Sequence, residues 1–174
     1  MSEQFALALP LASIRGGDRI DLVADEAECA AICERLGLVA LKSFQAHAVL
    51  ERDGPAVVAR GRLKASLEQA CVASGEPIGE RVDEAFELTF VPDPGGRPDE
   101  EVELGAADLD TVFHDGATIP LGTALVDTLA LAIDPFPRGP NAAAAMKEAG
   151  VLSEEEAGPF AALAALKLGK GHES

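Results

Sequence analysis

Two adjacent segments of the chain alternate between apolar and polar residues, and this period of two constrains the fold more than any other feature. The apolar positions of the first segment are Phe44, Ala46, Ala48 and Leu50. Those of the second are Val57, Ala59, Gly61, Leu63, Ala65 and Leu67. Successive side chains of a strand point to opposite faces, so each segment predicts a half-buried strand. The intervening turn sequence, Arg52-Asp53-Gly54-Pro55, predicts that the two strands form an antiparallel hairpin.

Two helices have clear boundaries in the sequence. Asp25 is a candidate N-cap, and Glu28, three residues later, completes a capping box. Gly37 supplies the stop signal after this first helix. Pro120 opens the second helix, in which an apolar residue recurs every four positions from Leu121 onward until Asp134-Pro135 ends the pattern.

Further short strands are predicted at residues 5–14, 19–23 and 82–91, so strands dominate the first half and helices the second. This order predicts an α+β fold, in which an antiparallel β-sheet in the first half is packed by an N-terminal helix and C-terminal helices. We expect an α+β domain over residues 1–138, followed by an Ala-rich helical tail, partly mobile, over residues 139–174.

The N-terminus and the cysteines bear on cellular location. The apolar residues 5–11 follow Ser2-Glu3-Gln4, which carries none of the basic residues that a signal peptide requires. Three cysteines are an odd number, which disfavours a disulfide framework, and Cys29 and Cys33 are expected to be small core residues. No segment approaches the ~18 consecutive apolar residues of a membrane span. We therefore expect a cytoplasmic protein without membrane contact.

Candidates for catalysis or metal binding are few. His114 lies near Asp108, Asp110 and Asp115, an arrangement that fits either an oxygen-rich metal site or a solvated acidic loop. The loop is favoured because no second histidine is close and no known ligand spacing is present. His47 is predicted to lie on the surface. We expect no enzyme activity, catalytic residue, metal, cofactor or small-molecule substrate; a metal-dependent ribonuclease remains an alternative.

Charge is distributed unevenly along the chain. The 30 acidic and 14 basic residues give a net charge of −16, which disfavours a protein whose whole surface binds phosphate. The absence of Trp and Tyr also disfavours platforms on which bases stack. Residues 41–67 contain five basic and two acidic residues, a net of +3, whereas residues 83–134 contain one basic and thirteen acidic residues, a net of −12.

This asymmetry defines two candidate contact surfaces. Alternation places Arg60, Arg62 and Lys64 on one strand face, and we name these three residues the basic ridge. Together with Lys42, the ridge is a candidate for RNA or partner contact, although it could equally well only solubilise an exposed sheet face. The candidate site for a basic partner is an acidic lobe whose members are Asp99, Glu100, Glu101, Glu103, Asp108 and Asp110.

Two segments resemble the YceD family, the large ribosomal RNA subunit accumulation proteins. The first, residues 69–92, contains the motif residues Cys71, Gly75, Glu76 and Pro77. The second, residues 119–138, contains the motif residues Leu121, Gly122, Asp134, Pro135, Phe136 and Pro137. The helix beginning near Ala24 and the tail at residues 159–167 agree with alphaproteobacterial members, so the resemblance spans nearly the whole chain.

The chain departs from the family pattern at three places. Many relatives carry a second cysteine two or three residues after the first, whereas Cys71 is followed here by Val72-Ala73-Ser74, so a metal-binding pair is absent. Thr123 stands where an acidic residue is usual, and Pro120 stands where the family usually has Asp.

The resemblance implies a non-enzymatic ribosome-assembly factor that supports synthesis, processing or stability of large-subunit (23S) ribosomal RNA. The expected partner is a basic ribosomal protein or assembly factor of the large subunit, bound by the acidic lobe. Direct contact of ribosomal RNA with the basic hairpin is the alternative. We expect a monomeric or weakly associating protein.

Overall fold

Seven strands and three α-helices follow one another in the part of the chain that the computed structural model describes, residues 8–93, 95 and 110–151. The strands are β1 (Ala8–Pro10), β2 (Asp18–Val23), β3 (Ala40–Asp53), β4 (Ala56–Ala70), β5 (Pro77–Pro92), β6 (Thr111–His114) and β7 (Thr118–Pro120). The helices are α1 (Glu26–Leu36), α2 (Leu121–Ala132) and α3 (Ala142–Glu148). None of these helices is long and apolar enough to cross a membrane.

Five of the strands form one sheet in the order β2-β3-β4-β5-β6. β3 pairs antiparallel with both β2 and β4, whereas β6 pairs parallel with the last four residues of β5. β1 and β7 form a separate antiparallel pair. The five-stranded sheet is therefore mixed, and the two-stranded sheet is antiparallel. Together with the helices, these sheets make the protein α+β, as predicted.

The predicted hairpin is confirmed as β3 and β4, joined by the two residues Gly54 and Pro55. The apolar set predicted from the alternation lies on its inner face, where Ala48, Leu50 and Val57 are fully buried. These side chains belong to one hydrophobic cluster that also contains residues of α1 and α2. Burial of one face leaves the alternate, charged positions in solvent and so fixes which side of the sheet can meet a partner.

The signals that start and stop the first helix act as predicted. The Asp25 carboxylate accepts a hydrogen bond from the Glu28 N–H, and the Glu28 carboxylate accepts one from the Asp25 N–H, each at 2.8 Å. Gly37 ends α1 with a φ of 64°, a left-handed conformation that suits glycine. Cys29 is buried, as expected, while Cys33 is only half-buried.

The second predicted helix is α2, which begins at Leu121 directly after Pro120. Leu121, Leu125 and Leu129 are fully buried, which confirms the four-residue apolar period. Ile133, predicted as the last helical position, is instead the extended C-cap residue. The backbone thus becomes extended one residue before Asp134, the residue whose conformation the following Pro135 restricts.

The strand predicted over residues 5–14 is only partly correct. Residues 8–10 form β1, but Leu11–Ser13 form a 3-10 turn, and residues 5–7 lie outside the described part of the chain. The apolar side chains of this segment predicted a strand. In the structure, the Ser13 hydroxyl donates a hydrogen bond to the Pro10 carbonyl at 2.7 Å, and the Arg52 guanidinium donates one to the Leu11 carbonyl at 2.8 Å. These carbonyls are therefore satisfied without a strand partner.

The chain divides into two compact units, of which the first contains residues 1–69 and 79–135. The second contains residues 70–78 and 136–174, and its described part holds a turn after Cys71 and helix α3. The domain boundary between residues 138 and 139 remains a prediction, and most of the predicted tail lies outside the described residues.

Candidate functional site: the charged sheet face and the motif segments

The basic ridge lies where the alternation predicts, on the exposed face of β4. The side chains of Arg60, Arg62 and Lys64 are 49–58% exposed, whereas the intervening Leu63 is fully buried. The ridge is thus held in position by the core on the opposite side of the same strand.

Carboxylates from the two neighbouring strands pair with every member of the ridge. Arg60 donates to Glu51 of β3 at 2.6 Å and to Glu87 of β5 at 2.8 Å. Asp83 of β5 accepts a hydrogen bond from Arg62 and lies 3.6 Å from the Lys64 ammonium. Lys42, the fourth predicted contact residue, pairs with Glu68.

This pairing changes the electrostatics of the face. The hydrogen bond from Arg62 lowers the pKa of Asp83, and the hydrogen bond from Arg60 lowers the pKa of Glu87. Both carboxylates therefore stay ionised at neutral pH, and the three cations of the ridge face three anions, with Glu51 as the third. The ridge is an ion-paired network rather than a strip of free positive charge.

A shallow groove of about 380 Å³ lies beside the ridge on the first unit. Arg62 and Lys64 line it together with His47 of β3 and Asp21 of β2. The His47 Nδ1 atom is 2.7 Å from an Asp21 carboxylate oxygen, and the His47 side chain is 51% exposed, so its predicted surface position is confirmed. This groove contains both signs of charge.

The interpretation of His114 as part of a solvated acidic loop is wrong. His114 ends β6 and is only 4% exposed. Its Nδ1 atom accepts a hydrogen bond from the Gly116 N–H at 3.0 Å, and its Nε2–H therefore donates to the Pro55 carbonyl at 3.1 Å. Because both ring nitrogens are hydrogen-bonded, the imidazole links Pro55 to Gly116 and presents no free lone pair to a metal ion.

Of the acidic residues named near His114, Asp110 and Asp115 belong to the described part of the chain. The Asp115 carboxylate accepts hydrogen bonds from the Thr118 and Ala117 N–H groups, which lower its pKa. Among the described residues, no group of three His, Cys, Asp or Glu side chains is placed to share a metal ion. Asp110 is exposed, whereas the other five members of the acidic lobe lie outside the described part of the chain.

In the second unit, backbone N–H groups surround the thiol of the motif residue Cys71. The Ser74 and Gly139 N–H groups each donate to the Cys71 sulfur at 3.4 Å, and the Val72 N–H donates to the Pro137 carbonyl at 2.9 Å. Residues 71–77, from the first motif segment, are thereby joined within this unit to residues 136–139, at the end of the second motif segment.

Hydrogen bonding changes the acidity of that thiol. The bond from Gly139, followed by those from Ser74, lowers the pKa of Cys71 to about 6, because an N–H donor stabilises the thiolate. Asn141 donates to both oxygens of Glu76, at 3.3 and 3.1 Å, and Gly75 adopts a φ of 73° at the end of the turn. Of these residues, Cys71, Gly75 and Glu76 were identified from the sequence only as motif positions.

Motif residues of the first unit hold the end of α2. The Asp134 N–H donates to Glu80 at 3.2 Å, and the Asp134 carbonyl accepts from Gln69 at 3.0 Å. Gln69 also donates to Glu80 at 2.7 Å. At the start of the same helix, Leu121 and Gly122 are buried, so these motif positions connect the helix to the sheet.

A model of one protein family, described as Large ribosomal RNA subunit accumulation protein YceD, matches residues 59–167, which is more than half of the chain. The chain belongs to the YceD family. The matched range includes both motif segments, the basic ridge and the acidic lobe. No curated protein and no solved structure matches the chain. The description of the family links this YceD protein to the RNA of the large ribosomal subunit.

Proposed function

We propose that this YceD protein is a cytoplasmic, non-enzymatic ribosome-assembly factor that supports synthesis, processing or stability of large-subunit (23S) ribosomal RNA by binding a basic ribosomal protein or assembly factor. Membership of the family supports the link to this RNA. The observation that favours a protein partner is the ion pairing of all three ridge cations with carboxylates of the flanking strands.

The ion pairs weaken the ridge as a phosphate-binding surface. Affinity for RNA arises largely when Lys and Arg neutralise phosphates and release counterions. Here each cation would first have to leave Glu51, Glu87 or Asp83, and the carboxylate left behind would repel the RNA. A basic protein is instead attracted by the net charge of −16, so the same composition that disfavours RNA favours this class of partner.

Affinity purification of the full chain from lysate, at low and at high salt, tests the proposal. We expect recovery of large-subunit ribosomal proteins or assembly factors at low salt, with less at high salt because salt screens exposed charges. Sedimentation through a sucrose gradient provides a second measurement, in which the protein is expected to migrate with large-subunit precursors. Recovery of no ribosomal protein or assembly factor at either salt would overturn the proposal.

Direct RNA binding by the basic hairpin is a second candidate, favoured by the common exposed face of Arg60, Arg62 and Lys64. Reversal of all three to Glu should abolish an RNA gel shift if this route operates. Asp83→Asn is the matched variant, because it removes one carboxylate and releases both Arg62 and Lys64. Stronger RNA retention by Asp83→Asn together with its loss in the triple variant would support RNA contact, whereas unchanged shifts would refute it.

A further inference from the structure

The hydrogen-bonding capacity of the basic ridge is used to different extents at its two ends. Arg60 is saturated, because its Nε and both terminal nitrogens donate to carboxylates of β3 and β5 at 2.6–3.2 Å. Arg62 instead donates only from Nε, to Asp83, so its two terminal nitrogens have no acceptor among the described residues. The Lys64 ammonium lies 3.6 Å from the same carboxylate, which is too far for a hydrogen bond. The end formed by Arg62 and Lys64 therefore keeps N–H groups that can bind a further acceptor.

The groove of about 380 Å³ in the first unit lies at this end of the ridge. Arg62, Lys64 and His47 line it, whereas Arg60 does not. The strand register places His47 directly opposite Arg62, and Lys64 is the next residue of β4 on the same face. Opposite residues of neighbouring strands are about 5 Å apart, and successive residues on one face of a strand are about 7 Å apart. The three side chains therefore stand at the corners of a triangle on the sheet.

The Asp21 carboxylate determines which atom His47 can offer to a ligand. It lies 2.7 Å from the Nδ1 atom and accepts the hydrogen bond of the Nδ1–H group. The Nε2 atom has no partner among the described residues, and in the imidazolium form it carries a second N–H donor. Asp21 is also an anion that lines the groove, and an imidazolium at His47 offsets its charge.

Three cationic donors at the corners of a triangle match the chemistry of a phosphate monoester. Such a group presents three strong acceptor oxygens, whereas a carboxylate presents two. Arginine binds oxyanions through paired N–H groups, and lysine binds them as a point charge. The volume of the groove is within the range of small-ligand pockets, which begins at about 300 Å³, so a nucleoside attached to the phosphate also has room.

We propose that this groove binds a phosphate monoester, in a nucleotide or at the 5′ end of an RNA, through Arg62, Lys64 and protonated His47. The terminal N–H groups of Arg62 and the Lys64 ammonium donate to two of the phosphate oxygens, and the Nε2–H group of His47 donates to the third. The inference goes beyond the proposed function, because this site requires no protein partner.

Isothermal titration calorimetry of the full chain with a nucleoside 5′-monophosphate tests the site. The titration is carried out at pH 6, where imidazole side chains gain their second proton, in a buffer without phosphate. The corresponding nucleoside is the matched ligand, since it lacks only the phosphate. We expect one monophosphate per chain, and binding of the nucleoside at least about tenfold more weakly, because charge-assisted hydrogen bonds are lost. Equal binding of the two ligands, or no binding of the monophosphate, would overturn the proposal.

Three protein variants locate the binding. Arg62→Gln should weaken the monophosphate at least about tenfold, and His47→Asn should weaken it at least about threefold, since each removes a charged donor. Arg60→Gln is the matched control, because Arg60 lies on the same strand face but outside the groove. It frees two carboxylates, Glu51 and Glu87, so a ligand held by general charge alone would be weakened by this variant too. We expect a change of less than about twofold for Arg60→Gln, and losses equal to those of Arg62→Gln would overturn the proposal.

Two further ligands distinguish the sources of the phosphate group. Inorganic phosphate that binds as tightly as the nucleotide would identify the free ion as sufficient. Tighter binding of a short single-stranded RNA with a 5′-phosphate than of the same RNA with a 5′-hydroxyl would identify an RNA end. Both results support the proposal. Equal binding of the two RNAs that is lost in Arg62→Gln would mean contact with internal phosphodiesters and would overturn it.

The site and the proposed function can fail separately. A chain that recovers ribosomal proteins from lysate but binds no phosphate ligand would refute the site and leave the function. A chain that binds the monophosphate through Arg62 but recovers no ribosomal component would refute the function and leave the site.

Discussion

Substitution of Gly61 by alanine tests a close approach between the backbones of β3 and β4. Gly61 lies on β4 opposite Ala48 of β3, between two residues of the basic ridge. A Cβ atom added there would lie 1.8 Å from the His47 carbonyl oxygen and 2.9 Å from the Phe86 Cζ atom. The first neighbour is main chain near the middle of the sheet, so no side-chain rotation relieves the contact.

The size of the effect follows from that distance. Because real Cβ atoms essentially never approach a heavy atom more closely than 3.0 Å, the oxygen must retreat by at least 3.0 − 1.8 = 1.2 Å. Overpacking a dense core costs about 1–3 kcal/mol, and displacement of a central strand belongs at the upper end of that range. We expect a loss of about 3 kcal/mol in the free energy of unfolding, which for a chain of this size lowers the Tm by about 6–12 °C.

Thermal and urea unfolding followed by circular dichroism measure this change. Gly79→Ala is the matched control, because Gly79 lies on β5 and a Cβ there meets no heavy atom within 4 Å. Gly79 also lacks a left-handed φ, so alanine should leave the Tm unchanged or raise it slightly by reducing the entropy of the unfolded chain. Equal Tm values for the wild type and Gly61→Ala would refute the inference that β3 and β4 leave no room for a side chain at residue 61.

Three further predictions concern His114, Asp25 and Cys71. His114→Gln should lower the free energy of unfolding by about 2 kcal/mol, because the Pro55 carbonyl and the Gly116 N–H lose their partner, whereas substitution of the exposed His47 should change it by less than about 0.5 kcal/mol in urea unfolding. Asp25→Ala should cost about 1 kcal/mol in the same assay through loss of the N-cap, and an unchanged midpoint would contradict the role of the capping box. With Cys29 and Cys33 replaced by Ser, thiolate ultraviolet absorbance should titrate near pH 6, and a midpoint near 9 would contradict this. Because folding depresses the pKa of Cys71, the stability due to its thiolate should increase from about pH 6 to pH 9 and be absent at lower pH.

Local patterns predicted the elements whose cause is local. The hairpin follows from alternation around a turn, and α1 follows from the cap at Asp25 and the stop at Gly37, all of which lie within a few residues of the structure they determine. The parallel pairing of β6 with β5 could not be predicted, because it joins short segments separated by about twenty residues and carries no distinct sequence period.

The electrostatics of the basic ridge also depend on residues that are distant in sequence, and so could not be predicted. Alternation correctly placed Arg60 and Arg62 on one exposed face. The net charge of that face, however, depends on Glu87 and Asp83, which come from another strand. Strand register decides whether a carboxylate stands beside an arginine, and the sequence does not state the register between β4 and β5. The role of His114 was missed for a related reason, since its partner Pro55 is 59 residues away.

The dependence of association rate on salt separates the two proposed partner classes more directly than affinity does. At long range an approaching molecule experiences the net charge of −16, while the ridge adds no net charge because its cations are paired. Salt screens both attraction and repulsion beyond about 8 Å at physiological ionic strength. The association rate constant of a basic protein should therefore fall as salt rises, whereas that of RNA should rise, because its initial repulsion is screened. Stopped-flow measurements over a salt series would show this, and a rate for RNA that falls with salt would mean that the ridge presents free positive charge to an approaching ligand.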